Sequence, residues 1–339
     1  MSSWYHVAIA GATGAVGTEF LRVLERHRFP IASLRLLASE RSEGKRIRFA
    51  GEDLVVQRLT ENAFDGVHIA FFSAGASRSR QFAPAAVKAG AVVIDNSSAF
   101  RMDPQVPLVV PEINIDDAQH HQGIIANPNC STIIMLMAVA PLHRRWRARR
   151  VVVSTYQAAS GAGAQAMQEL LDQTAAILEG KEVTPRVLPH QIAFNLFSHN
   201  SAVNEYGYNE EEWKMIHESR KILHEPELAI TATCVRVPIL RAHSESINIE
   251  FAERRPSVEE ARQALSEFPG VKVVDDRERN HFPMPIEATD REEVLVGRIR
   301  EDVSNPLALD LFVSGDQLLK GAALNAVQIA EAMIARGWL

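Results

Sequence analysis

The sequence predicts a two-domain α/β protein, with a doubly wound, mostly parallel sheet first and an α+β unit built on a mixed sheet second. Strand and helix patterns alternate over roughly the first 130 residues, as parallel strands joined by crossover helices do. A glycine-rich turn follows the first strand directly and opens a helix. Beyond about Val151 the texture changes to long strand candidates alternating in period two, which suit a mixed or antiparallel sheet with helices on one face. At 339 residues and 46% hydrophobic content, the chain can bury two proper cores.

His6-Val-Ala-Ile-Ala10 is the first apolar strand, Gly11-Ala-Thr-Gly-Ala-Val-Gly17 the turn, and Thr18 to Arg26 an amphipathic helix. Further strands are expected at Ser33 to Ala38, after Phe29-Pro30, then at Val67 to Phe72, Ala91 to Asp95 and Gly123 to Ala126. Ser131-Thr-Ile-Ile-Met-Leu-Met137 begins an apolar helix. In the second half the strand candidates are Val151 to Val153, Ala229 to Val237, Ser246 to Phe251 and Glu293 to Ile299. Lys320 to Ala335 forms a closing helix expected to pack back on the first domain. No internal repeat or low-complexity tract interrupts this order.

A net charge of −6 without a basic stripe argues against nucleic acid as the main partner. The one dense basic cluster, Arg144 to Arg150, reads as a solvated helix end before a strand. Two cysteines, Cys130 and Cys234, are too few for a disulfide-stapled secreted domain, and the N-terminus has no signal-peptide pattern. The longest apolar run, Ile133 to Leu142, is well short of the ~20 residues of a membrane span. A cytoplasmic protein with no membrane partner is expected. His120-His121 and the scattered acids lack ligand spacing, so no metal site is expected.

Gly11, Gly14 and Gly17 form G-x-x-G-x-x-G between a strand and a helix. Such a turn leaves room for a pyrophosphate against the backbone and aims a helix N-terminus at negative charge, so the first domain reads as Rossmann-like. About 20 residues past the loop, where an NAD site commonly has an acidic residue, stands Ser39-Glu-Arg-Ser42. Ser39, Arg41 and Ser42 offer donors to a 2′-phosphate, which favours NADP, whereas Glu40 turned inward would serve a ribose. Thr13, Ala15, Val16 and Ser73 complete the cofactor candidates of this domain, with Ser160 and Gly161 from the second.

Asn127-Pro-Asn-Cys-Ser-Thr132 sets Cys130 at the mouth of the apolar helix. First-turn N–H groups facing the sulfur favour thiolate over thiol. Free cysteines are also common buried apolar residues, and the stretch alone leaves both readings open. A nucleophilic thiol beside a nicotinamide suggests aldehyde oxidation through a thiohemiacetal and a thioester. That chemistry needs an acid–base, a cation for a substrate carboxylate and an anion site if the acyl acceptor is phosphate. Arg236 on a strand and His243 seven residues on can supply the first two, although position alone does not single out His243 among twelve histidines. Gln157 sits in a strand-to-glycine turn that can approach a cofactor or simply bend.

Taken together, Gly11 to Gly17, Asp95-Asn-Ser-Ser-Ala-Phe-Arg-Met-Asp103, Val110-Pro-Glu-Ile-Asn114, Asn127 to Thr132, Tyr156-Gln-Ala-Ala-Ser-Gly-Ala-Gly163, Arg236-Val-Pro and Ala242-His-Ser-Glu resemble the aspartate-semialdehyde dehydrogenases, in that family's order from end to end. Asn280 to Pro285, Val296 to Arg300 and Lys320 to Glu331 are similar too. The resemblance implies reversible NADPH-dependent reductive dephosphorylation of L-aspartyl 4-phosphate to L-aspartate 4-semialdehyde, in the biosynthesis of lysine and diaminopimelate, methionine, threonine and isoleucine. It implies Cys130 as nucleophile, His243 as acid–base and Gln157 as the residue orienting the acyl group. Arg236 would bind the substrate carboxylate, Glu211 its ammonium, and Arg101, Asn129 and Lys214 the phosphate. Glu210 and Glu212 flank Glu211, so the register of that carboxylate stays open.

It further implies a homodimer formed through the second domain's sheet, with residues 1–131 and 320–339 as the NADP-binding domain and 132–319 as the catalytic and dimerisation domain. The chain departs from the family at Phe197-Ser-His-Asn-Ser-Ala202, which lacks an expected proline and acidic residue, and at Gln317, a cofactor-site position by the resemblance, where asparagine is frequent and a longer amide can make the same hydrogen bonds. Two other readings stand beside this one: a reductase of another acyl phosphate, such as N-acetylglutamyl phosphate, and a non-catalytic paralogue.

Overall fold

Val7-Ala-Ile-Ala10 is wholly buried, as a central strand covered on both faces must be. In a computed structural model describing residues 4–339, it belongs to strand β1 (Tyr5–Ala10) and opens the first of two units, which runs to Asn129 and resumes at Ala322. Helix α1 (Ala15–Arg26) starts inside the glycine turn, and β2 (Ile31–Ala38) follows. Two short strands, β3 (Arg46–Phe49) and β4 (Glu52–Val55), pair as a hairpin whose turn residues Ala50 and Gly51 both have positive φ, 48° and 88°. The alternation reading passed over this hairpin because its strands are exposed and carry little hydrophobic signal.

Next come β5 (Gln57–Arg58), β6 (Ile69–Phe72), helix α2 (Ala76–Lys88), β7 (Val92–Asp95), the short helix α3 (Pro111–Asn114) and β8 (Ile124–Ala126). The six-stranded sheet has the order β5-β2-β1-β6-β7-β8 with every pair parallel, the doubly wound arrangement expected. The strand order reverses between β1 and β6, where open α/β sheets bind ligands. The C-terminal helix, expected as one run from Lys320, is a π-helical turn over Leu319–Ala323 followed by α-helix over Leu324–Arg336.

The second unit spans Cys130–Gly321. Its first helix, α4 (Cys130–Trp146), is buried on all sides from Ser131 to Leu142, so it is a core helix. Around it fold β9 (Ala148–Gln157), α5 (Ala164–Leu178), β10 (Phe197–Ser198), α6 (Glu210–Leu223), β11 (Ala229–Arg236), β12 (His243–Phe251), α7 (Val258–Ser266), β13 (Val271–Val273), α8 (Pro285–Ala288), β14 (Val294–Glu301) and β15 (Ala308–Gly315). The seven-stranded sheet, β10-β11-β9-β12-β15-β14-β13, mixes parallel β9/β11 and β13/β14 pairs with antiparallel neighbours. Of the Arg144 to Arg150 cluster, Arg144 and Arg145 end α4, whereas Arg149 and Arg150 already belong to β9, which starts earlier than the expected Val151; Arg145 pairs with Glu267 at 2.7 Å, Arg149 with Glu250, and Arg254 lies over Trp146. Among the described residues no helix is long and apolar enough to cross a membrane.

Candidate active site

Cys130 is the first residue of α4 and half-buried, so its sulfur sits at a helix end where backbone N–H groups lack intrahelical acceptors. Gly321 packs on it closely enough that a Cβ there would come within 2.9 Å of Cys130 Cβ, and only glycine leaves that approach open. Cys234 is the contrast. It is fully buried on β11, its Sγ donates to Met215 Sδ at 3.6 Å, and burial pushes its thiol far above the usual thiol range. Neither cysteine is held in a disulfide.

Sheet register assembles the next group. Arg236 on β11 pairs with Gln157 on β9, and Ser244 on β12 pairs with Tyr156, which puts His243 level with Gln157. Three side chains from three strands therefore stand in one row. Gln157 Nε2 donates to Ser131 Oγ at 2.5 Å and Glu211 Oε1 at 3.2 Å, while its buried Oε1 has no protein partner. The following residue, Ala158, ties the row together: its carbonyl accepts from Arg236 Nη1 at 2.8 Å and its N–H donates to His243 Nδ1 at 3.0 Å.

That last bond fixes a tautomer. Nδ1 is the acceptor, so the proton of the neutral ring resides on Nε2. Complete burial, reinforced by the Arg236 charge, drives the imidazole down to about 3, so the ring is neutral at ordinary pH. Gly161 lies against the same two groups, and a Cβ on it would meet Arg236 Nη1 at 3.0 Å and His243 Nε2 at 3.2 Å. Arg236 itself is almost wholly buried, which lowers its proton affinity, while the neighbouring Glu211 and Cys130 raise it.

On helix α6 the three glutamates have different surroundings. Asn209 and Glu212 form a reciprocal capping box, and Glu212 Oε1 also accepts from Cys234 N at 3.0 Å. Glu210 is exposed, and Glu211 alone reaches Gln157. Lys214, one turn on, lies 3.5 Å from Glu211 Oε2. Gln317 is engaged internally: its amide donates to Ser160 Oγ and accepts from Ala242 N at 2.9 Å, so it braces the Ser160-Gly161 turn.

In the first unit, Gly11 has φ of +94° and a Cβ there would strike Ser73 O at 2.4 Å. Gly17 is as constrained, with Gly11 O 2.2 Å from its would-be Cβ, whereas Gly14 is open enough to face a ligand. Ala15 and Val16 begin α1 behind this turn, and Thr13 Oγ1 donates to Ser42 Oγ at 3.3 Å. Past the end of β2, a cavity of about 300 Å³ is lined by Ser39, Glu40, Arg41, Arg58 and Arg78. Glu40 pairs with Arg58 at 3.4 Å. Arg101, buried, donates through Nε to Asn127 O at 2.9 Å and through Nη2 to Asn96 O at 2.8 Å. Buried Asp95, bonded by Ser79 and Ser97 Oγ at 2.7 Å each, orders the loop that presents it. Asn129 ends this unit, largely buried.

Within the second unit the fold thus gathers Cys130, Gln157, Gly161, Glu211, Lys214, Arg236 and His243; within the first it sets Gly11, Thr13, Gly14, Ser42 and Ser73 around one turn. Sequence reasoning missed Arg58 and Arg78, whose approach to Ser39 and Arg41 is long-range, and Ser131, visible only as the neighbour of Cys130. It also missed His199, whose Nε2 lies 3.0 Å from Arg236 Nη2.

Residues 6–121 match the semialdehyde dehydrogenase NAD binding domain, and residues 139–320 the semialdehyde dehydrogenase dimerisation domain. An aspartate-semialdehyde dehydrogenase of Synechocystis sp. is 57% identical over the whole of both chains. The crystal structure of aspartate semialdehyde dehydrogenase II from Vibrio cholerae complexed with ASA superposes with a TM-score of 0.95, at 43% identity, covering 98% of this chain and 99% of that one. The Candida albicans aspartate semialdehyde dehydrogenase with NADP gives 0.78 at 26% identity, over 99% and 100% of the two chains. With a fold and an end-to-end sequence in common, the chain belongs to the aspartate-semialdehyde dehydrogenase family, oxidoreductases of amino-acid biosynthesis.

Proposed function

We propose that this protein catalyses the reversible NADPH-dependent reductive dephosphorylation of L-aspartyl 4-phosphate to L-aspartate 4-semialdehyde, through a thioester on Cys130, and serves lysine and diaminopimelate, methionine, threonine and isoleucine synthesis. The observation that carries the reading is the Arg236, Gln157 and His243 row with Glu211 beside it. A fixed cation, a fixed anion and an acid–base suit a free amino acid with a reactive side-chain carbonyl.

In this reading the Cys130 thiolate adds to the C4 carbonyl, the C–O bond to phosphate breaks and a thioester remains. A nicotinamide, when bound, would supply hydride to that carbon or remove it in reverse, and the C–S bond to Cys130 breaks as the aldehyde is released. Gln157 orients the acyl group, and its unpartnered Oε1 and fixed amide suit a positioned substrate. His243 directs Nε2–H toward the oxygen on which charge develops and moves a proton as that oxygen becomes an aldehyde. Arg236 keeps an N–H on each Nη beyond those given to Ala158 and His199, suited to a carboxylate, and Glu211 suits the ammonium. Arg101, Asn129 and Lys214 are assigned to phosphate. An N-acetylated substrate has no cation for Glu211, which disfavours the acetylglutamyl reductases.

The cofactor reading rests on the close-packed turn at Gly11 and Gly17 and on the arginine-lined cavity beside Ser39. Gly11, Thr13, Gly14, Ala15, Val16 and Ser73 would hold the pyrophosphate and adjoining ribose in the first unit. Ser160 and Gly161, braced by Gln317, would face the nicotinamide from the second. Ser39, Arg41 and Ser42, joined by Arg58 and Arg78, would take the 2′-phosphate, with Glu40 held by Arg58. Arg41→Ala with Arg58→Ala should raise KM for NADP by about tenfold or more and leave that for NAD nearly unchanged, since two charge-assisted bonds are lost with the first cofactor only. Equal losses with both cofactors in steady-state assays would refute the assignment.

A homodimer through the second sheet fits the dimerisation-domain match and the outward Tyr156, 41% exposed beside Phe312. Two cysteines outside any disulfide fit a reducing cytoplasm. The test of the reaction is NADP reduction with L-aspartate semialdehyde in phosphate and in a non-nucleophilic buffer. Phosphate-dependent turnover is expected; a well-folded, NADP-binding protein that stays silent would overturn the reading.

A further inference from the structure

We propose that His199 is a positioning residue for the substrate-recognition pair: an uncharged acceptor that aims Arg236 and, through Ser201, couples it to Glu211. This rests on the reading of Arg236 and Glu211 as partners of the substrate's carboxylate and ammonium. His199 lies in the stretch where the chain departs from its family's pattern, just past β10. That strand pairs with the end of β11 that carries Arg236, and His199 N donates to Cys234 O at 2.8 Å.

Arg236 Nη2 stands 3.0 Å from His199 Nε2, and a guanidinium only donates, so Nε2 must be the lone-pair nitrogen. The ring proton then goes to Nδ1, which faces Ser201 Oγ at 3.1 Å; Ser201 N, 3.3 Å from the same nitrogen, gives up its bond to the ring in this tautomer, and Ser201 Oγ in turn accepts from Glu211 N at 3.2 Å. One chain of bonds thus runs from the fixed cation to the helix turn bearing the fixed anion. With Ala158 O on Nη1 and His199 on Nη2, the guanidinium plane has two supports and cannot swing.

The chain works only with a neutral ring, because a protonated His199 would direct an N–H at a guanidinium. Partial burial lowers its proton affinity first; of the charged groups facing it, Arg236 and Lys214 lower it further, while Glu211 and Glu210 raise it. His243 faces it as well, neutral as described.

Steady-state kinetics of the full-length enzyme with L-aspartate semialdehyde test the proposal. His199→Ala should raise KM for the semialdehyde about 10- to 100-fold with kcat within about twofold, the loss of one bond to a charged group that aims ground-state binding. His199→Gln, which returns an acceptor, should recover most of that loss. In the wild type KM should rise as acidification protonates His199, and this acid limb should vanish in His199→Gln. Ser201→Ala, a milder change, should raise KM by a few-fold. A wild-type KM in His199→Ala, or equal losses in the Ala and Gln variants, overturns the role of His199 alone. A wild type silent toward the semialdehyde overturns it together with the substrate reading. If His199→Ala fails to fold, the pH limb in His199→Gln decides: its persistence there overturns the proposal.

Discussion

Cys130→Ala is expected to abolish turnover, by about 10⁴-fold or more, while NADP binding and the unfolding temperature stay near wild type. The thiol sits at the N-terminus of a core helix, where a serine or alanine fits the same space, so the loss is chemical and not structural. Cys234→Ser is the companion control. Its thiol is buried on β11 and held protonated, so it supplies no thiolate, and any loss there should appear as instability. Steady-state rates and cofactor titration of the two variants separate these cases. Cys130→Ala retaining a tenth of wild-type activity would remove the thiol from the reaction.

His243→Ala is expected to lower kcat by about 10²–10⁴-fold, with a smaller change in KM, as loss of a general acid–base does. His243→Gln, which keeps an N–H near the place of Nε2 but cannot relay a proton, should remain closer to Ala than to wild type. The ring also leaves a mark on stability. Its affinity for protons in the folded state is depressed to about 3, from an ordinary value near 6.5, so on acidification the unfolded chain takes up the proton first. The stability tied to the neutral ring is present above pH 6.5 and lost as pH falls from there toward about 3. Thermal unfolding across that range should slope less steeply in His243→Gln. An unchanged slope would mean that the ring is not held neutral.

How far such a site can be read in a sequence depends on whether its parts are local. The Cys130 helix start and the glycine turn are strand–turn–helix patterns, and each stands where local pattern put it. Period-two alternation gave β11 and β12 their buried face, but only sheet register brings Arg236 beside Gln157 and His243 level with them. Glu211 could not be told from its neighbours in a run of three glutamates. The distinction comes from Asn209, whose capping box claims Glu212 and turns Glu211 toward Gln157. Arg58 near Ser39, and His199 against Arg236, are tertiary approaches that no spacing encodes. Gln317 was legible as an amide but not as one already spent on Ser160 and Ala242. The β3/β4 hairpin, exposed and short, was missed for the opposite reason, that it buries too little to leave a pattern.

The central claim is an acyl group carried on Cys130, and the direct measurement is mass spectrometry of the enzyme mixed with NADP and L-aspartate semialdehyde without phosphate. The account predicts an aspartyl adduct on the peptide bearing Cys130, formed with one equivalent of NADPH and discharged when phosphate is added. Turnover without any adduct, or an adduct on Cys234, would contradict it.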